Sequence, residues 1–211
     1  MSKSKSKPPC AHLPAHLRFV LASASPRRAE LLREAGYMFE TLVSPVEEPS
    51  RRPTWVPLDV WPTALAFMKA FAVQQKLADP TALVLGADTI VFLNGRIMNK
   101  PRDRTHARQM LQRLSGQTHQ VITGLALLHG PEHRFSRGLA TCRIRKLSER
   151  FLKNYLDSNL WRGKAGAYGI QDHQDPWVQL LDGEWSTVVG LPMELLRTEI
   201  AGISTGLKRK A

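Results

Sequence analysis

The chain has 211 residues and a formal net charge of +12 at pH 7, with 43% hydrophobic and 23% charged residues. This composition is ordinary for a soluble globular protein, and no apolar run reaches the length of a membrane span, so we expect no membrane partner. The N-terminal lysines precede no apolar stretch, and the two cysteines fit neither a disulfide framework nor zinc-ligand spacing. These features exclude a disulfide-stabilised secreted domain and favour the cytoplasm.

The positive charge is concentrated at the two ends of the chain. Four basic residues and no acid lie in the first 18 residues, and three more basic residues lie in the last four, which leaves +5 for the remainder. A nucleic-acid-binding module needs a contiguous basic face, so this distribution argues against a specific nucleic-acid partner. A moderately basic core suits a polyphosphate ligand instead. We expect a disordered basic leader at 1–17, one folded domain at 18–202 and a basic tail at 203–211.

The first predicted strand, Phe19–Leu21, leads into a helix in which Ser25 is a natural N-cap and Pro26 fits the first position. Arg27 and Arg28 in the first turn oppose the helix dipole. They are explained if an anion lies there, because free backbone N–H groups, the dipole and the two guanidinium groups together make a phosphate site. A solvated surface turn with two ordinary arginines is the alternative.

A second predicted strand at 39–43 precedes a loop that is rich in proline and arginine. Glu47 and Glu48 are adjacent in this loop and lie between two prolines, which favours an extended backbone. The two carboxylates are candidate ligands for a divalent metal. A solvated acidic loop is the alternative.

A helix is predicted over about residues 60–77, with Asp59 as its cap. Lys69 is the only charged residue in 60–75, and its neighbours are apolar around most of the helix. A lysine in this setting either extends along the surface to solvent or is a fixed cation that reaches into a cleft.

Asp88 lies in the middle of the strand predicted at 81–93, whose other residues are uncharged. Burying an unpaired carboxylate is costly, so such a residue must be paired, bind a metal or act as a base with a shifted pKa. A structural ion pair is the alternative.

The Asn94-Gly95 pair predicts a type I′ hairpin turn, and Lys100 follows as either a phosphate ligand or an ordinary loop lysine.

The second half of the chain combines helices, long strands and a glycine-rich loop. The predicted elements are a helix that begins after Asp103, strands at 118–128 and 135–145, a helix that begins after Ser148, a hairpin of 177–181 with 185–189, and a helix near 193–201. The loop at 163–171 has three glycines in seven residues, which lets its backbone approach a flat or anionic ligand. Gln171 is a candidate reader of a base edge, because an amide both donates and accepts.

Six motifs occur along the chain in the order that one protein family shows. They are Ser23-x-Ser25-Pro26-Arg27-Arg28, Gly86-Ala87-Asp88-Thr89, Lys100-Pro101, Leu114-Ser115-Gly116-x-x-His119, Lys164-Ala165-Gly166-Ala167-Tyr168-Gly169-Ile170-Gln171 and Val189-Gly190-Leu191-Pro192. Together they resemble the Maf family of nucleoside triphosphate pyrophosphatases, and the resemblance covers about residues 18–202. It identifies that segment as a Maf-like pyrophosphatase domain.

The resemblance implies an ITPase-like α/β fold, in which an elongated mixed sheet is flanked by helices and the active-site cleft lies between two lobes. It also implies a reaction, in which water cleaves a nucleoside triphosphate between the α and β phosphates to give the monophosphate and pyrophosphate. The implied cofactor is a divalent cation, Mg²⁺ or Mn²⁺. The resemblance also allows a homodimer.

The resemblance assigns roles to individual residues as well. Asp88 matches the catalytic proton acceptor of the family. The residues that match its phosphate-binding positions are Ser23, Arg27, Arg28, Lys69 and Lys100. The carboxylates that match its metal-binding region are Glu47, Glu48 and Asp88. Thr89 and Gln171 belong to the motifs that distinguish the subgroups of the family, and we expect both to contact substrate.

One subgroup of the family resembles dTTP/UTP pyrophosphatases, and another acts on 7-methyl-GTP. The Arg27-Arg28 pair, Asp88-Thr89 and the Gly-Ile-Gln of the glycine loop favour the first subgroup, because the second typically has Asp-Gln and lacks that loop sequence. The sequence therefore predicts hydrolysis of dTTP and UTP, and modified pyrimidine nucleotides are further candidate substrates. One departure concerns residues 172–176, where the family usually has glycines after the glutamine, so a different base preference stays open.

A non-catalytic nucleotide-binding regulator of cell division is an alternative from another functional class. It would need the same cleft, but an intact Asp88 together with Glu47 and Glu48 favours catalysis. A different ITPase-like enzyme that acts on deaminated purines is a further alternative. The glycine loop at 163–171 argues against it.

Overall fold

The structure is a computed structural model that describes residue 13 and residues 17–49, 51–172 and 176–208, with side chains in the last helix described through residue 203. The leader predicted at 1–17 therefore lies almost wholly outside the described residues. So do the last three residues of the predicted tail and positions 173–175 of the departure after Gln171.

The described part of the chain forms seven strands and six α-helices. The strands are β1 (Phe19–Leu21), β2 (Glu40–Thr41), β3 (Leu83–Leu93), β4 (Arg96–Met98), β5 (Thr118–His129), β6 (Glu132–Ile144) and β7 (Val178–Asp182). The helices are α1 (Pro26–Glu34), α2 (Trp61–Leu77), α3 (Arg104–Leu114), α4 (Glu149–Asp157), α5 (Trp185–Val189) and α6 (Met193–Lys208). No helix among these combines the length and the apolar character needed to span a membrane.

The strands form one mixed sheet in the order β2-β1-β3-β5-β6-β7. β1 is parallel to β2 and β3, whereas β3, β5, β6 and β7 pair antiparallel in succession. The long strands β3 and β5 pair along almost their whole length and make the sheet elongated. The predicted α/β fold, with an elongated mixed sheet and helices around it, is confirmed.

A gap in the sheet separates two lobes. β5 occupies one edge of β3, and β1 and β4 share the other edge. β1 pairs with β3 only as far as Leu85, and β4 begins to pair at Val91. The residues of β3 between these two points therefore have no neighbouring strand on that edge within the described chain. Asp88 lies in this gap, which is the predicted cleft.

The apolar core is divided in the same way. One cluster joins α1 and α6 to β1 and the first half of β3, and it includes Leu32, Leu85 and Leu196. A second joins α3 and α4 to the far half of the sheet, and it includes Leu111 and Trp177. Two smaller clusters lie where α2 packs on the sheet. The burial of large apolar side chains on both sides of the gap supplies the main driving force for folding of both lobes.

The hairpin predicted for 177–189 is wrong in its second half. β7 pairs with the end of β6, but Trp185–Val189 is a helix. The chain leaves the sheet at Gly183, whose φ is +87° and whose Cβ, if present, would lie 2.4 Å from the carbonyl oxygen of Leu139. Only glycine fits there. A five-residue apolar run does not by itself distinguish a strand from a buried helix.

Of the predicted helix caps, Asp59 is corrected and Ser25 is confirmed in position only. Val60, not Asp59, occupies the N-cap of α2, and the Asp59 carboxylate lies 2.7 Å from Arg137 instead. Ser25 is the N-cap of α1, but its side chain caps no N–H group among the described residues. The first turn of α1 is therefore left open toward the cleft. By contrast, the Asp103 and Ser148 side chains cap α3 and α4 as predicted.

Candidate active site

A cleft of about 460 Å³ opens in the gap between the two lobes. Six basic side chains and two carboxylates line it: Arg27, Arg28, Lys69, Lys100, Arg162 and Lys164, with Glu48 and Asp88. All the site residues predicted from the sequence line this cleft except Glu47, which is exposed. The surplus of positive charge makes the cleft suitable for a polyphosphate.

The turn between β1 and α1 forms one wall. The Arg28 guanidinium is buried, and it donates to the Gly190 carbonyl at 2.7 Å, to Ser23 Oγ at 3.0 Å and to Thr89 Oγ1 at 3.1 Å. All three of these acceptors are uncharged. Burial lowers the pKa of Arg28, and the negative charge of Asp88 opposes this shift. A buried cation held by neutral acceptors is a strong anion site.

Thr89 continues this network into the sheet. Its hydroxyl lies 2.9 Å from Thr123 Oγ1, and Thr123 in turn donates to the Thr187 carbonyl of α5 at 2.8 Å. Because Thr123 uses its only proton on that carbonyl, Thr89 donates to Thr123 and accepts from Arg28. Thr89 therefore connects the turn between β1 and α1 to α5. The sequence pattern did not indicate a role for Thr123.

Four charged groups meet at the floor of the cleft. Lys69 Nζ lies 2.5 Å from Asp88 Oδ1 and 2.7 Å from Glu48 Oε1, and Lys100 Nζ lies 3.3 Å from the same Glu48 oxygen. Asp88 is 5% exposed. Partial burial acts to raise the pKa of Glu48, but Lys69 and Lys100 hold it below its ordinary value. Lys69 is thus a fixed cation in the cleft, and the alternative of an ammonium that extends to solvent is excluded.

The same two carboxylates fit a divalent cation. Glu48 and Asp88 converge on a single positively charged nitrogen, so their oxygens lie close enough to share a cation. Mg²⁺ typically binds one or two carboxylates and completes its ligand set with water and substrate phosphates. Within the described residues no group of three His, Cys, Asp or Glu side chains could hold a metal ion. The site therefore fits a metal that arrives with its phosphate ligands.

The glycine loop forms the opposite wall of the cleft. Gly166 has φ of +67°, and a Cβ there would lie 3.0 Å from Val91 Cγ2. Arg27 reaches across from α1 and donates to the Gly163 carbonyl at 3.4 Å. Burial lowers the pKa of Arg27, and the charge of Asp172 opposes this shift. Arg27, from the first turn of α1, and Gln171, from the glycine loop, therefore both line the cleft.

Sequence reasoning missed the charged groups that support this loop. Lys164 and Asp172 form a buried ion pair, and Tyr155 donates to the same carboxylate at 2.6 Å. A lysine and an aspartate eight residues apart in one loop were the available signal.

His119 is structural: its Nε2 lies 2.6 Å from Tyr168 Oη, and burial lowers its pKa to about 4.

The fold and the cleft define the class of this protein. It is an α/β protein with an open mixed sheet and a basic cleft beyond the end of β1, and the charge of that cleft suits a polyphosphate. Comparison with known proteins narrows this class to one family. The family model for Maf-like protein matches residues 18–203. The chain therefore belongs to the Maf-like protein family, which confirms the resemblance inferred from its motifs.

Similar proteins carry one recurrent name. A dTTP/UTP pyrophosphatase of Shouchella clausii is 45% identical over 176 residues, which cover 83% of this chain and 90% of that protein. One of Symbiobacterium thermophilum is 41% identical, with coverage of 83% and 89%. A solved Mycobacterium abscessus nucleoside-triphosphatase / dITP/XTP pyrophosphatase aligns over 92% of this chain and 97% of that chain, at 14% identity and a TM-score of 0.43.

Proposed function

We propose that this protein is a nucleoside triphosphate pyrophosphatase that hydrolyses dTTP and UTP to the nucleoside monophosphate and pyrophosphate. The observation that carries the proposal is a buried carboxylate, Asp88, at the floor of a cleft whose walls are basic. The names of the similar proteins support the substrate assignment. The proposal also includes a cytoplasmic location, which the cysteine content favours, and a homodimer, which the family resemblance allows. Modified pyrimidine nucleotides are further candidate substrates.

Positive charge would hold the triphosphate. Arg28, Arg27 and Lys100 would neutralise the phosphate oxygens, and the hydroxyl of Ser23 lies beside the Arg28 guanidinium to donate to the same group. Positioning and charge neutralisation are the main sources of rate in phosphoryl transfer, because there is little covalent chemistry for the protein to perform.

Asp88 would act as the base. As a water oxygen bonds to the α phosphorus, the bond from that phosphorus to the bridging oxygen breaks and pyrophosphate leaves. The proton of the water passes to the Asp88 carboxylate. Lys69 blocks one oxygen of this carboxylate in the free protein. Substrate phosphates offer Lys69 another partner and so release Asp88 for proton transfer.

Glu48 and Asp88 are the residues that would hold Mg²⁺ or Mn²⁺. When bound, such a cation neutralises phosphate charge and lowers the pKa of a coordinated water. Glu47 remains a candidate only for an outer contact, because it does not line the cleft within the described structure.

Turnover on a panel of nucleotides tests the proposal. dTTP, UTP, CTP, 7-methyl-GTP and ITP are each incubated with Mg²⁺, with Mn²⁺ or with EDTA, and the products are separated by anion exchange. We expect monophosphate and pyrophosphate from dTTP and UTP, and loss of turnover with EDTA. The same products from another base would overturn the substrate assignment alone. No turnover by the folded protein would favour the nucleotide-binding regulator.

A further inference from the structure

The glycine loop and the residue after it hold a second charged cluster that the proposed reaction does not use. Asp172 and Lys164 are paired there, and their side chains are only 4% and 9% exposed. Lys164 Nζ donates to Oδ1 of the carboxylate, and Tyr155 Oη donates to Oδ2 at 2.6 Å. Both carboxylate oxygens are therefore held, one from the loop itself and the other from α4.

Asp172 also closes a tight turn of the backbone. Its N–H donates to the Gly169 carbonyl at 3.2 Å, and its carboxylate folds back over Gly169. A Cβ at Gly169 would lie 2.6 Å from Asp172 Oδ1, so the carboxylate occupies this position only because residue 169 is glycine. Gln171 lies inside this turn and lines the cleft. The place of Gln171 is thus set by anchors on both sides.

The ion pair changes what Lys164 does. A lysine on the wall of a basic cleft is ordinarily a candidate phosphate ligand, but this ammonium is already committed to Asp172. Breaking a buried pair by removing one partner is strongly destabilising, because it leaves the other charge uncompensated. The pair therefore acts as a fixed support for the loop.

We propose that Asp172 is a positioning residue for base recognition, which rests on the proposed function. By fixing the turn that carries Gln171, it sets the backbone position from which that side chain lines the cleft. A donor and acceptor discriminate between bases only when they are held in place, because a mobile amide adjusts to either edge. The O4 acceptor of thymine and the N4–H donor of cytosine differ in this way.

Two variants test whether Asp172 positions Gln171, because each removes a different contact of the Asp172 carboxylate. Asp172→Asn removes the charge that holds Lys164, and Tyr155→Phe removes the contact to α4 but keeps the ion pair. The ratio of kcat/KM for dTTP over CTP is measured for each in the full-length protein with Mg²⁺. We expect this ratio to fall at least about fivefold in both variants, as expected when a positioned hydrogen bond is lost.

Inhibition by inorganic pyrophosphate separates positioning from general damage. This ligand reports on the phosphate half of the cleft, so its inhibition constant is expected to stay within about twofold of wild type. The matched control is Asp157→Asn. Asp157 lies on α4, as Tyr155 does, and its exposed carboxylate is paired with Arg104. The control is expected to keep both the ratio and the inhibition constant.

Two results would overturn the inference: an unchanged dTTP-to-CTP ratio in both variants, or a fall in substrate and pyrophosphate binding to the same extent. If Asp172→Asn does not fold, Tyr155→Phe alone decides the matter. If the wild-type protein turns over no nucleotide, the proposed function fails by itself. The same ratio is then measured as dTTP and CTP binding by calorimetry, which tests Asp172 independently.

Discussion

Arg28 illustrates how one side chain joins distant segments on the wall of the cleft. Its guanidinium is shared among a serine, a threonine and a backbone carbonyl that is 162 positions away in the sequence. A planar fork makes these contacts at once, whereas the ammonium of lysine is a single point of charge. The charge of Arg28 opposes the dipole of α1, but the same side chain joins this helix to Gly190 and to β3.

The substitution Asp88→Asn tests whether the Asp88 carboxylate is the base of the reaction. We expect kcat for dTTP to fall at least about 100-fold, because the amide cannot accept the proton of the attacking water. The fold and dTTP affinity are expected to persist, since Lys69 keeps its contact with Glu48. Steady-state kinetics, calorimetric binding and thermal unfolding measure the three quantities. Asp59→Asn, which removes an exposed carboxylate outside the cleft, is the control; near-wild-type turnover of Asp88→Asn would refute the assignment.

Among the helices and strands, it is the position of α2 that decides where Lys69 lies. The helix rests directly on the sheet, because glycine occurs at both contact points. A Cβ at Gly86 would lie 2.1 Å from the Ala66 carbonyl oxygen, and one at Gly124 would lie 2.2 Å from Thr63 N. This close approach brings the Lys69 ammonium down to Asp88, two residues beyond Gly86 on β3.

Gly86→Ala is therefore expected to affect stability and catalysis together. The added methyl group must push α2 away from the sheet, which should lower the free energy of unfolding by at least about 2 kcal/mol. It should also lower kcat, because the contact between Lys69 and Asp88 lengthens. Chemical denaturation and dTTP turnover measure the two effects.

Gly116→Ala is the matched control for this helix contact. Gly116 has φ of +74° and no atom near its missing Cβ in the described structure, so an alanine there meets backbone strain alone. We expect a cost of about 1 kcal/mol and unchanged kcat. Equal effects of the two substitutions on kcat would show that the close approach of α2 does not matter for catalysis.

For the whole molecule, the distribution of charge governs how a polyanion approaches. The net charge of +12 attracts nucleotides to the whole molecule, and the surplus of basic groups in the cleft steers them toward that site. Lys100 is half exposed at this cleft, with 55% of its side chain accessible. It is therefore well placed to act on substrate before binding is complete.

Salt dependence tests this steering. We expect kcat/KM for dTTP to fall several-fold between about 50 and about 300 mM KCl, with a smaller change in kcat, because salt screens exposed charges most strongly. Lys100→Gln should flatten the dependence. Lys153→Gln, on the exposed side of α4, should not. A dependence that is the same in all three proteins would assign the steering to charge elsewhere on the molecule.

Much of the architecture could be predicted from local patterns. Asp103 and Ser148 are followed by helices, and the Asn94-Gly95 turn joins β3 to β4, because caps and turns depend on residues a few positions apart. The strand-like run at 185–189 became a helix because its conformation depends on Gly183 and on the sheet beneath it. Local pattern carries no information about such a neighbour.

The sequence by itself determined the motifs, the family, the mixed α/β class and the candidate residues, since each of these is written in residue type and short spacing. Only the tertiary structure decided that Lys69 lies between Asp88 and Glu48, that Arg28 has neutral partners, that Glu47 stays outside the cleft and that Asp172 is paired with Lys164. These properties arise from contacts between distant segments and from the loss of water around charged groups. Both exist only after the lobes have packed.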